Sequence, residues 1–285
     1  MNLSLLNLER QTKNTIGARL LQIVAGLVVV YRFYSEVRFA PFLFEINNSN
    51  WSSSGLMVYV CLGFWLVGGT GLLIGYFTRI STLLVLVGYV VLESLTVTHD
   101  GGDNVLRIVL LYMLLFHDRL SSSDQIKPGA RVFLHNLGIV LIHLQLVVLY
   151  LVSGTLKLQG PLWFNGTALY YITNVEAFST NWQFLRSFFF NPIFVAIATY
   201  MSVLYQIGFP FMLGNRLHLL WVLIGLSFHV GIFMVMGLTT FSAIMIGLIL
   251  FTVRDNEWLA IQSFGTQMLP KLHTIWQVAR VRKTV

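Results

Sequence analysis

The stretch "LHNLGIVLIHLQLVVLYLVSGTLKLQGPLWFNGTALYY", residues 134–171, decides the fold class of this chain. It opens with an apolar run that is long enough to cross a bilayer, which takes about 20 residues as a helix. The run ends near a single lysine, Lys157, and Trp163, Tyr170 and Tyr171 follow it. The stretch therefore predicts a transmembrane helix that leads into an aromatic-rich segment.

The composition of the whole chain extends this prediction. Of its 285 residues, 56% are hydrophobic and 10% are charged, whereas a soluble domain carries about 25% charged residues. An integral membrane protein of the all-α class is predicted, because a helix satisfies its own backbone hydrogen bonds in lipid. The basic residues behind the net charge of +7 are dispersed, so no nucleic-acid partner is predicted. A single cysteine, Cys61, excludes an internal disulfide.

Eight transmembrane helices are predicted from the apolar segments of the chain. They lie near residues 16–34, 56–77, 80–98, 104–117, 132–156, 191–213, 217–236 and 238–254. Residues 1–254 form one transmembrane domain on this interpretation. Residues 255–285 alternate apolar and basic groups, which indicates an amphipathic helix on the cytoplasmic face. Seven and nine spans remain alternatives, because the segment 104–117 is short and contains Arg107.

The basic residues predict the orientation of the chain. With eight spans and a cytoplasmic N-terminus, thirteen basic residues face the cytoplasm, four face outside and Arg107 lies within a span. The thirteen are Arg10, Lys13, Arg19, Arg79, Arg119, Lys127, Arg131, Arg216, Arg254, Lys271, Arg280, Arg282 and Lys283. The four are Arg32, Arg38, Lys157 and Arg186. This bias follows the positive-inside rule, so both termini of a multi-pass cell-membrane protein are expected in the cytoplasm.

Two long segments are predicted outside the membrane. Residues 32–54 are polar and are expected to be ordered only in part. The segment from Gln159 to Phe190 contains ten aromatic residues, a composition typical of membrane–water interfaces. We expect this aromatic segment to lie on the outer leaflet and to roof a cavity.

Polar residues recur every seven positions along the helix predicted over 132–156. Asn136, His143, Tyr150 and Lys157 share this spacing, which is close to two helical turns and so places them on one face. Because ionisable groups in lipid are costly, the stripe is expected to face the protein interior. The alternative is that His143 and Tyr150 only link neighbouring helices and that Lys157 reaches to the interface.

Three further polar features have structural interpretations. Glu93 and Arg107 are expected to pair between adjacent spans. The residues from His99 to Asn104 have the composition of a metal-binding loop, but a hard cation needs more carboxylates at defined spacing. A capped turn is favoured there, and no metal site is predicted. His229 is interpreted as a hydrogen-bonded core histidine.

Three segments together resemble a known family. They are "TGLLIGYFTRISTLLVLVGYVVLESL", "DGGDNVLRIVLLYMLLFHDRLSSSD" and "HLQLVVLYLVSGTLKLQGPLWFNGTALYY". Their order is similar to the horizontally transferred transmembrane domain. That domain forms the membrane part of vitamin K-dependent gamma-glutamyl carboxylase and occurs in bacterial proteins related to the membrane component of the sporulation-delaying toxin system. The resemblance covers about residues 15–250.

The resemblance implies a site at the end of this helix. Lys157 corresponds to the lysine with which the carboxylases activate a vitamin hydroquinone, and Trp163, Gly166 and Ala168 fall on the motif that follows. Leu156 stands where the carboxylases have a second lysine. Lys157 is then the catalytic base. His143 and Tyr150 orient it or relay its proton. Trp163, Tyr170 and Tyr171 become the residues expected to bind a quinol-type lipid.

The toxin-system members are closer to this chain in size, and they act with a partner protein on a secreted peptide precursor. The resemblance thus implies a component of toxin or bacteriocin-like peptide maturation or modification. The competing hypothesis is a non-enzymatic export or immunity protein that binds a hydrophobic peptide. In that case Lys157 is an interfacial anchor and the aromatic segment is a docking surface.

Overall fold

The computed structural model describes residues 13–44, 53–95, 101–117, 129–175 and 183–264, and these contain helices and no strand. The long helices are α1 (Thr15–Leu43), α2 (Ser53–Ile74), α3 (Thr78–Leu95), α4 (Gly101–Met113) and α5 (Ala130–Gln159). Short elements follow, namely α6 (Pro161–Phe164), α7 (Ala168–Thr173), α8 (Gln183–Arg186) and a 3₁₀ turn (Ser187–Phe190). The chain then forms α9 (Pro192–Met212), α10 (His218–Met236), α11 (Thr239–Phe251) and α12 (255–264).

Six of these helices are long and apolar enough to cross a membrane, namely α1, α2, α3, α5, α9 and α10. The protein is therefore a multi-pass membrane protein of the all-α class. Helices α4 and α11 correspond to the predicted spans 104–117 and 238–254, but each has 13 residues. At 1.5 Å per residue they reach about 20 Å, which is less than the roughly 30 Å of a hydrocarbon core.

Helix α1 is longer than the sequence predicted. The predicted span ends at residue 34, whereas α1 continues to Leu43 with Pro41 inside its last turns. Residues 32–43 of the segment that was predicted to be ordered only in part are thus helical, and residues 45–52 lie outside the described residues. Arg32 and Glu36 form a largely buried i,i+4 ion pair in this part of α1, and such pairs stabilise helices.

Helix α11 lies between two groups of helices. Helices α1, α2 and α3 follow one another side by side, α11 lies against α1, α4 and α10, and α5 packs mainly on α9. The buried core runs continuously through these elements, from Leu21 of α1 and Trp65 of α2 to Tyr150 of α5 and Phe251 of α11. The buried residues of α11 thus join two groups of helices that contact each other less directly.

Arginine side chains bind the carbonyl ends of three helices at one end of the bundle. Arg19 of α1 donates to the backbone oxygens of Leu72 (2.7 Å) and Leu73 (2.5 Å) at the end of α2. Arg79 donates to the carbonyl of Phe116 (2.9 Å), just after α4. Arg254 donates to the carbonyl of Leu213 (3.1 Å), just after α9. These contacts satisfy carbonyls that have no partner within their own helix.

Helix starts are bound at the same end of the bundle. The carboxylate of Asp255 accepts hydrogen bonds from the backbone N–H groups of Thr15 (2.9 Å) and Ile16 (3.0 Å) at the start of α1. The side chain of Asn136, near the start of α5, accepts one from the backbone of Lys13 at 2.9 Å. The start of α5 is thereby fixed at this end, so Lys157 in the last turn of α5 lies at the opposite end of the bundle.

The chain after Arg254 was predicted to be an amphipathic helix. Residues 255–264 are helical as α12, and Trp258 packs on Val222 and Val253. Glu257 of α12 lies 3.2 Å from Nδ1 of His218. These contacts attach the first part of the tail to α10 and α11, and residues 265–285 lie outside the described residues.

Candidate functional site

Among the described residues, the side-chain nitrogen of Lys157 contacts three groups, and all of them are uncharged. Its Nζ donates hydrogen bonds to Oγ of Ser153 (2.6 Å) and to Oε1 of Gln206 (3.0 Å). It also lies 5.1 Å from the ring centroid of Trp163, within the distance of a cation–π interaction. Ser153 is one turn below Lys157 on α5, whereas Gln206 is on α9. Lys157 thus joins two spanning helices and the segment that follows α5.

The end of α5 brings Trp163 back over Lys157. Gly160 ends the helix, and its N–H bonds to the carbonyl of Lys157 at 3.0 Å. Pro161 then occupies the first turn of α6, a position that tolerates proline because the N–H there has no helical partner. This tight reversal explains why a residue six positions after Lys157 contacts its side chain.

Gly154 permits the close approach of α5 and α9 that the Lys157 contacts require. A Cβ added at Gly154 would lie 2.7 Å from Cγ1 of Ile207 and 3.3 Å from Cβ of Gln206. The first distance is too short for any side chain. A residue larger than glycine would therefore separate the two helices that carry Lys157 and Gln206.

Helix α9 also holds the α6–α7 segment. The hydroxyl of Tyr200 donates to the carbonyl of Phe164 at 2.8 Å, and a Cβ added at Gly166 would lie 3.0 Å from Cζ of Tyr200. Gly166 has a φ of 70°, a left-handed conformation that glycine adopts without strain. Gly166 and Ala168, which lie in the motif of the resembling family, thus belong to a turn that packs against α9.

Tyr150 belongs to a separate buried network. Its hydroxyl lies 2.9 Å from Nε2 of His229 on α10 and accepts a bond of 3.4 Å from the hydroxyl of Tyr205 on α9. Tyr150 and His229 are 0% and 1% exposed. The hydroxyl oxygen of Tyr150 can accept two hydrogen bonds, so the tautomer of His229 decides which of the two residues is the donor in their contact. His229 is a core histidine as predicted, although its Nδ1 has no hydrogen-bond partner among the described residues.

His143 and Asn136 have other partners. Nδ1 of His143 lies 2.8 Å from the carbonyl of Ile139 on the same helix, and its ring packs on Phe251. Asn136 is buried and accepts the bond from Lys13. The seven-residue stripe therefore meets several neighbouring elements. Among the described residues, Lys157 bonds to Ser153 and Gln206 and not to Tyr150 or His143.

The three predicted cofactor-binding aromatics are only partly together. Trp163 contacts Lys157, whereas Tyr170 and Tyr171 lie on α7 with their ring centroids 5.3 Å apart. The ring of Tyr170 also contacts Phe190, and Tyr171 is 53% exposed. Phe178 and Trp182 of the aromatic segment lie outside the described residues. The rings of Tyr170, Tyr171 and Phe190 thus form an aromatic group that reaches the 3₁₀ turn.

A second charged cluster joins α1, α3 and α4. Arg32 forms ion pairs with Glu36 (2.7 Å) and Asp103 (2.9 Å), and the hydroxyl of Tyr89 lies 3.4 Å from Asp103. Asp103 was considered for a metal-binding loop, and here it binds Arg32. The described residues contain no group of three metal-ligating side chains, and His99 and Asp100 lie outside them.

The predicted pair of Glu93 and Arg107 is confirmed. The two side chains form an ion pair between α3 and α4, and Arg107 also donates to Oδ1 of Asn104 at 3.0 Å. Arg107 therefore has a structural partner. Lys157 differs from it because its polar partners are a hydroxyl and an amide.

Sequence reasoning missed Ser153 and Gln206 as partners of Lys157. Gln206 is the amide-bearing residue in the apolar run 191–213 that reaches into the bundle, and it is 6% exposed. A polar side chain inside a span is a functional candidate by its cost alone. That signal was sufficient to select Gln206, but not to predict which helix it faces.

Comparison with known proteins reveals one relative and no family. No family model matches this chain. It is 28% identical over 219 residues to the uncharacterized protein YitO of Bacillus subtilis (strain 168), which covers 73% of this chain and 70% of the relative. No solved structure matches. The description of the relative assigns no activity, so a function for this chain has to be inferred from the site.

Proposed function

We propose that this protein is a membrane-embedded component of the maturation or modification of a small peptide, with Lys157 as a base at the outer face of the membrane. The observation that carries the proposal is the environment of Lys157. Its amine has a hydroxyl, an amide oxygen and an indole ring as neighbours. A lysine bound in this way can lose its proton, whereas one paired with a carboxylate is held in the charged form.

The proposed chemistry at Lys157 is a proton transfer. The neutral amine takes a proton from an acidic group of the substrate, so that Nζ becomes an ammonium and the substrate becomes an anion. The proton later leaves Nζ for solvent or for the product. General base catalysis of this kind contributes about 10²- to 10⁴-fold to a rate. Neither His143 nor Tyr150 bonds to Lys157. Their proposed role as a proton relay therefore requires further groups between them and Lys157.

The proposed topology has eight crossings and both termini in the cytoplasm. It is supported by the thirteen-to-four distribution of basic residues. It is also supported by the contacts of Arg19, Arg79, Arg254 and Asp255, which connect alternate helix ends at one end of the bundle. Helices α4 and α11 then cross where neighbouring helices cover them. In this topology, Lys157 and the aromatic segment face outside.

The resemblance to the horizontally transferred transmembrane domain supplies the rest of the proposal. The resemblance implies a secreted peptide precursor as the substrate, a small partner subunit and a quinol-type lipid as the cofactor. Trp163 fits a flat ring beside Lys157, since an indole can stack on it. Tyr170 and Tyr171 fit less directly, because their described ring contacts are with each other and with Phe190. Trp163 would thus be the main contact of such a lipid.

The test is to express a candidate secreted precursor peptide with and without the protein and to measure the intact mass of the released peptide. We expect a mass change or a new cleavage product that depends on the protein and is lost in Lys157→Ala and Lys157→Arg. Arginine keeps the positive charge but cannot act as a base. Membrane levels of each variant, measured by immunoblotting, serve as the control.

A non-enzymatic export or immunity protein that binds a hydrophobic peptide is the second candidate. It is favoured by the exposed aromatic side chains of the segment after α5, among them Phe164, Tyr171 and Phe188. In this case Lys157→Arg retains peptide binding, because an interfacial anchor needs only its charge. If Lys157→Arg keeps full function and the mass of the peptide is unchanged, the hypothesis of a catalytic base is replaced by that of a peptide-binding protein.

A further inference from the structure

We propose that Gln206 and Ser153 are positioning residues that orient the amine of Lys157 and aim its lone pair at the substrate. This inference rests on the proposed function, since it assumes that Lys157 acts as a base. It concerns two residues on different helices that approach Lys157 from separate directions. Neither residue is assigned contact with the substrate.

The argument starts from the number of hydrogens on the amine. A neutral lysine amine has two N–H groups and one lone pair in a tetrahedral arrangement. In the structure, Nζ has two hydrogen-bond acceptors, Oγ of Ser153 at 2.6 Å and Oε1 of Gln206 at 3.0 Å. When both N–H groups point to these acceptors, the only remaining direction holds the lone pair. Two acceptors therefore fix the direction in which the base accepts a proton.

The charge of the two acceptors matters as much as their number. A carboxylate at the position of the Gln206 amide would stabilise the ammonium form and keep the lone pair occupied. An amide oxygen accepts the same hydrogen bond without a net charge. Gln206 thus provides the geometry of an ion pair while leaving Lys157 able to lose its proton.

The backbone that carries Gln206 is held by contacts with two neighbouring helices. The preceding residue, Tyr205, is buried and bonded to Tyr150, and its carbonyl accepts a bond of 3.3 Å from the indole N–H of Trp221 on α10. Gly154 brings the backbone of α5 against Gln206 and Ile207. The position of α9 relative to Lys157 is therefore set from both sides. A rigid second residue is what orienting a flexible lysine side chain requires.

The experiment compares two variants of Gln206 with two matched controls, and it adds Ser153→Ala and Lys157→Ala. Gln206→Leu removes the acceptor, and Gln206→Glu replaces the amide with a carboxyl group of nearly the same shape. Gln145→Leu and Gln145→Glu are the matched controls. Gln145 is also a partly buried glutamine of the bundle, but it bonds to the carbonyl of Val105. It lies 12 residues before Lys157 on α5, which is roughly 18 Å along the helix.

Two quantities are measured for each variant. The first is the rate of peptide modification during co-expression. The second is the rate at which acetic anhydride acetylates Lys157 in the detergent-solubilised protein at one fixed pH, by mass spectrometry with the other lysines as internal references. Only the neutral amine reacts, so this labelling reports the protonation of Lys157 without any substrate.

We expect Gln206→Glu to slow the acetylation of Lys157 at least about tenfold relative to Gln145→Glu, because the carboxylate stabilises the ammonium. Gln206→Leu should not slow labelling, but it should lower the rate of modification about 10- to 100-fold through misorientation. Ser153→Ala should cause a smaller loss. It provides a second measurement if a Gln206 variant does not fold.

A failure of the positioning role and a failure of the proposed function give different results. Wild-type modification rates in Gln206→Leu and Ser153→Ala, with modification absent in Lys157→Ala, overturn the positioning role and leave the base in place. Equal labelling of Lys157 in Gln206→Glu and Gln145→Glu also overturns it. Undiminished modification in Lys157→Ala overturns the proposed function itself.

Discussion

Arg32 and Lys157 are both basic residues held partly inside the helical bundle, but the charges around them differ. Arg32 is bound to two carboxylates, those of Glu36 and Asp103. Lys157 is bound to Ser153 and Gln206, which are neutral. Both residues were predicted on the outer side from the basic-residue pattern.

The difference separates a structural role from a functional one. The Arg32 cluster links α1 to α4 through charges that depend on each other, so the loss of one partner removes the charge compensation that it gives the others. Lys157 has no charged partner among the described residues. When it loses its proton, no carboxylate beside it is therefore left without a cation. We therefore expect Arg32 to matter for stability and Lys157 for activity.

The largest effect is expected for Arg32→Leu. This change leaves the carboxylates of Glu36 and Asp103 next to each other without their cation, a loss of about 3–5 kcal/mol by analogy with broken buried ion pairs. The free energy of unfolding of the solubilised protein, measured by SDS titration, checks it. Arg38→Leu, at a position without a described ion pair on the same helix, is the matched control. A stability equal to that of the control would mean that the cluster does not hold α1 to α4.

Gly154→Ala is expected to disturb the Lys157 site through packing. The new Cβ meets Ile207 at 2.7 Å, and overpacking of this kind costs about 1–3 kcal/mol. The rate of peptide modification should fall although Lys157, Ser153 and Gln206 are all retained. Gly63→Ala is the control, since nothing lies within 4 Å of a Cβ there. An unchanged stability and rate in Gly154→Ala would show that α5 and α9 separate without cost.

Tyr150→Phe tests the buried network below the Lys157 site. The change removes the hydroxyl that bonds to His229 and leaves Nε2 of His229 buried without this hydrogen-bond partner, at a cost of about 1–3 kcal/mol. The same unfolding measurement applies, with Tyr171→Phe as the exposed control. If Tyr150→Phe abolishes modification at wild-type stability, Tyr150 acts in the proposed relay and is more than a structural link.

The smallest effect on stability is expected for Lys157→Met. Gln206 loses its donor, but the membrane bundle no longer has to accommodate a cation, and these two terms oppose each other. The net change should lie within about 1 kcal/mol. Unfolding by SDS and the level of protein in the membrane check it. A destabilisation as large as that of Arg32→Leu would remove the distinction between the two cations.

Helix identity and membrane character were predictable because hydropathy is a property of each segment by itself. The six long spans all coincide with predicted segments. The end of α1 was mispredicted for a related reason. Arg32 and Glu36 lower the local hydropathy, yet they pair with each other, and Arg32 also pairs with Asp103, about 70 positions further along the chain. A window that reads only neighbours along the chain does not detect that compensation.

The seven-residue spacing of Asn136, His143, Tyr150 and Lys157 correctly placed them on one face of a helix that was itself correctly predicted. Periodicity determines the direction of a side chain around its own axis, because the rotation per residue is a local property of the backbone. It carries no information about the helix that lies opposite.

Only the tertiary structure decided the partners. Lys157 bonds to Gln206, 49 residues later, and Tyr150 bonds to His229, 79 residues later. These pairings follow from the close approach of α5 and α9 at Gly154 and from the packing of α10 on α9. The sequence by itself therefore determined that a polar face exists and that it ends at a lysine. Which groups meet on that face depends on contacts between helices, and such contacts are not local in the chain.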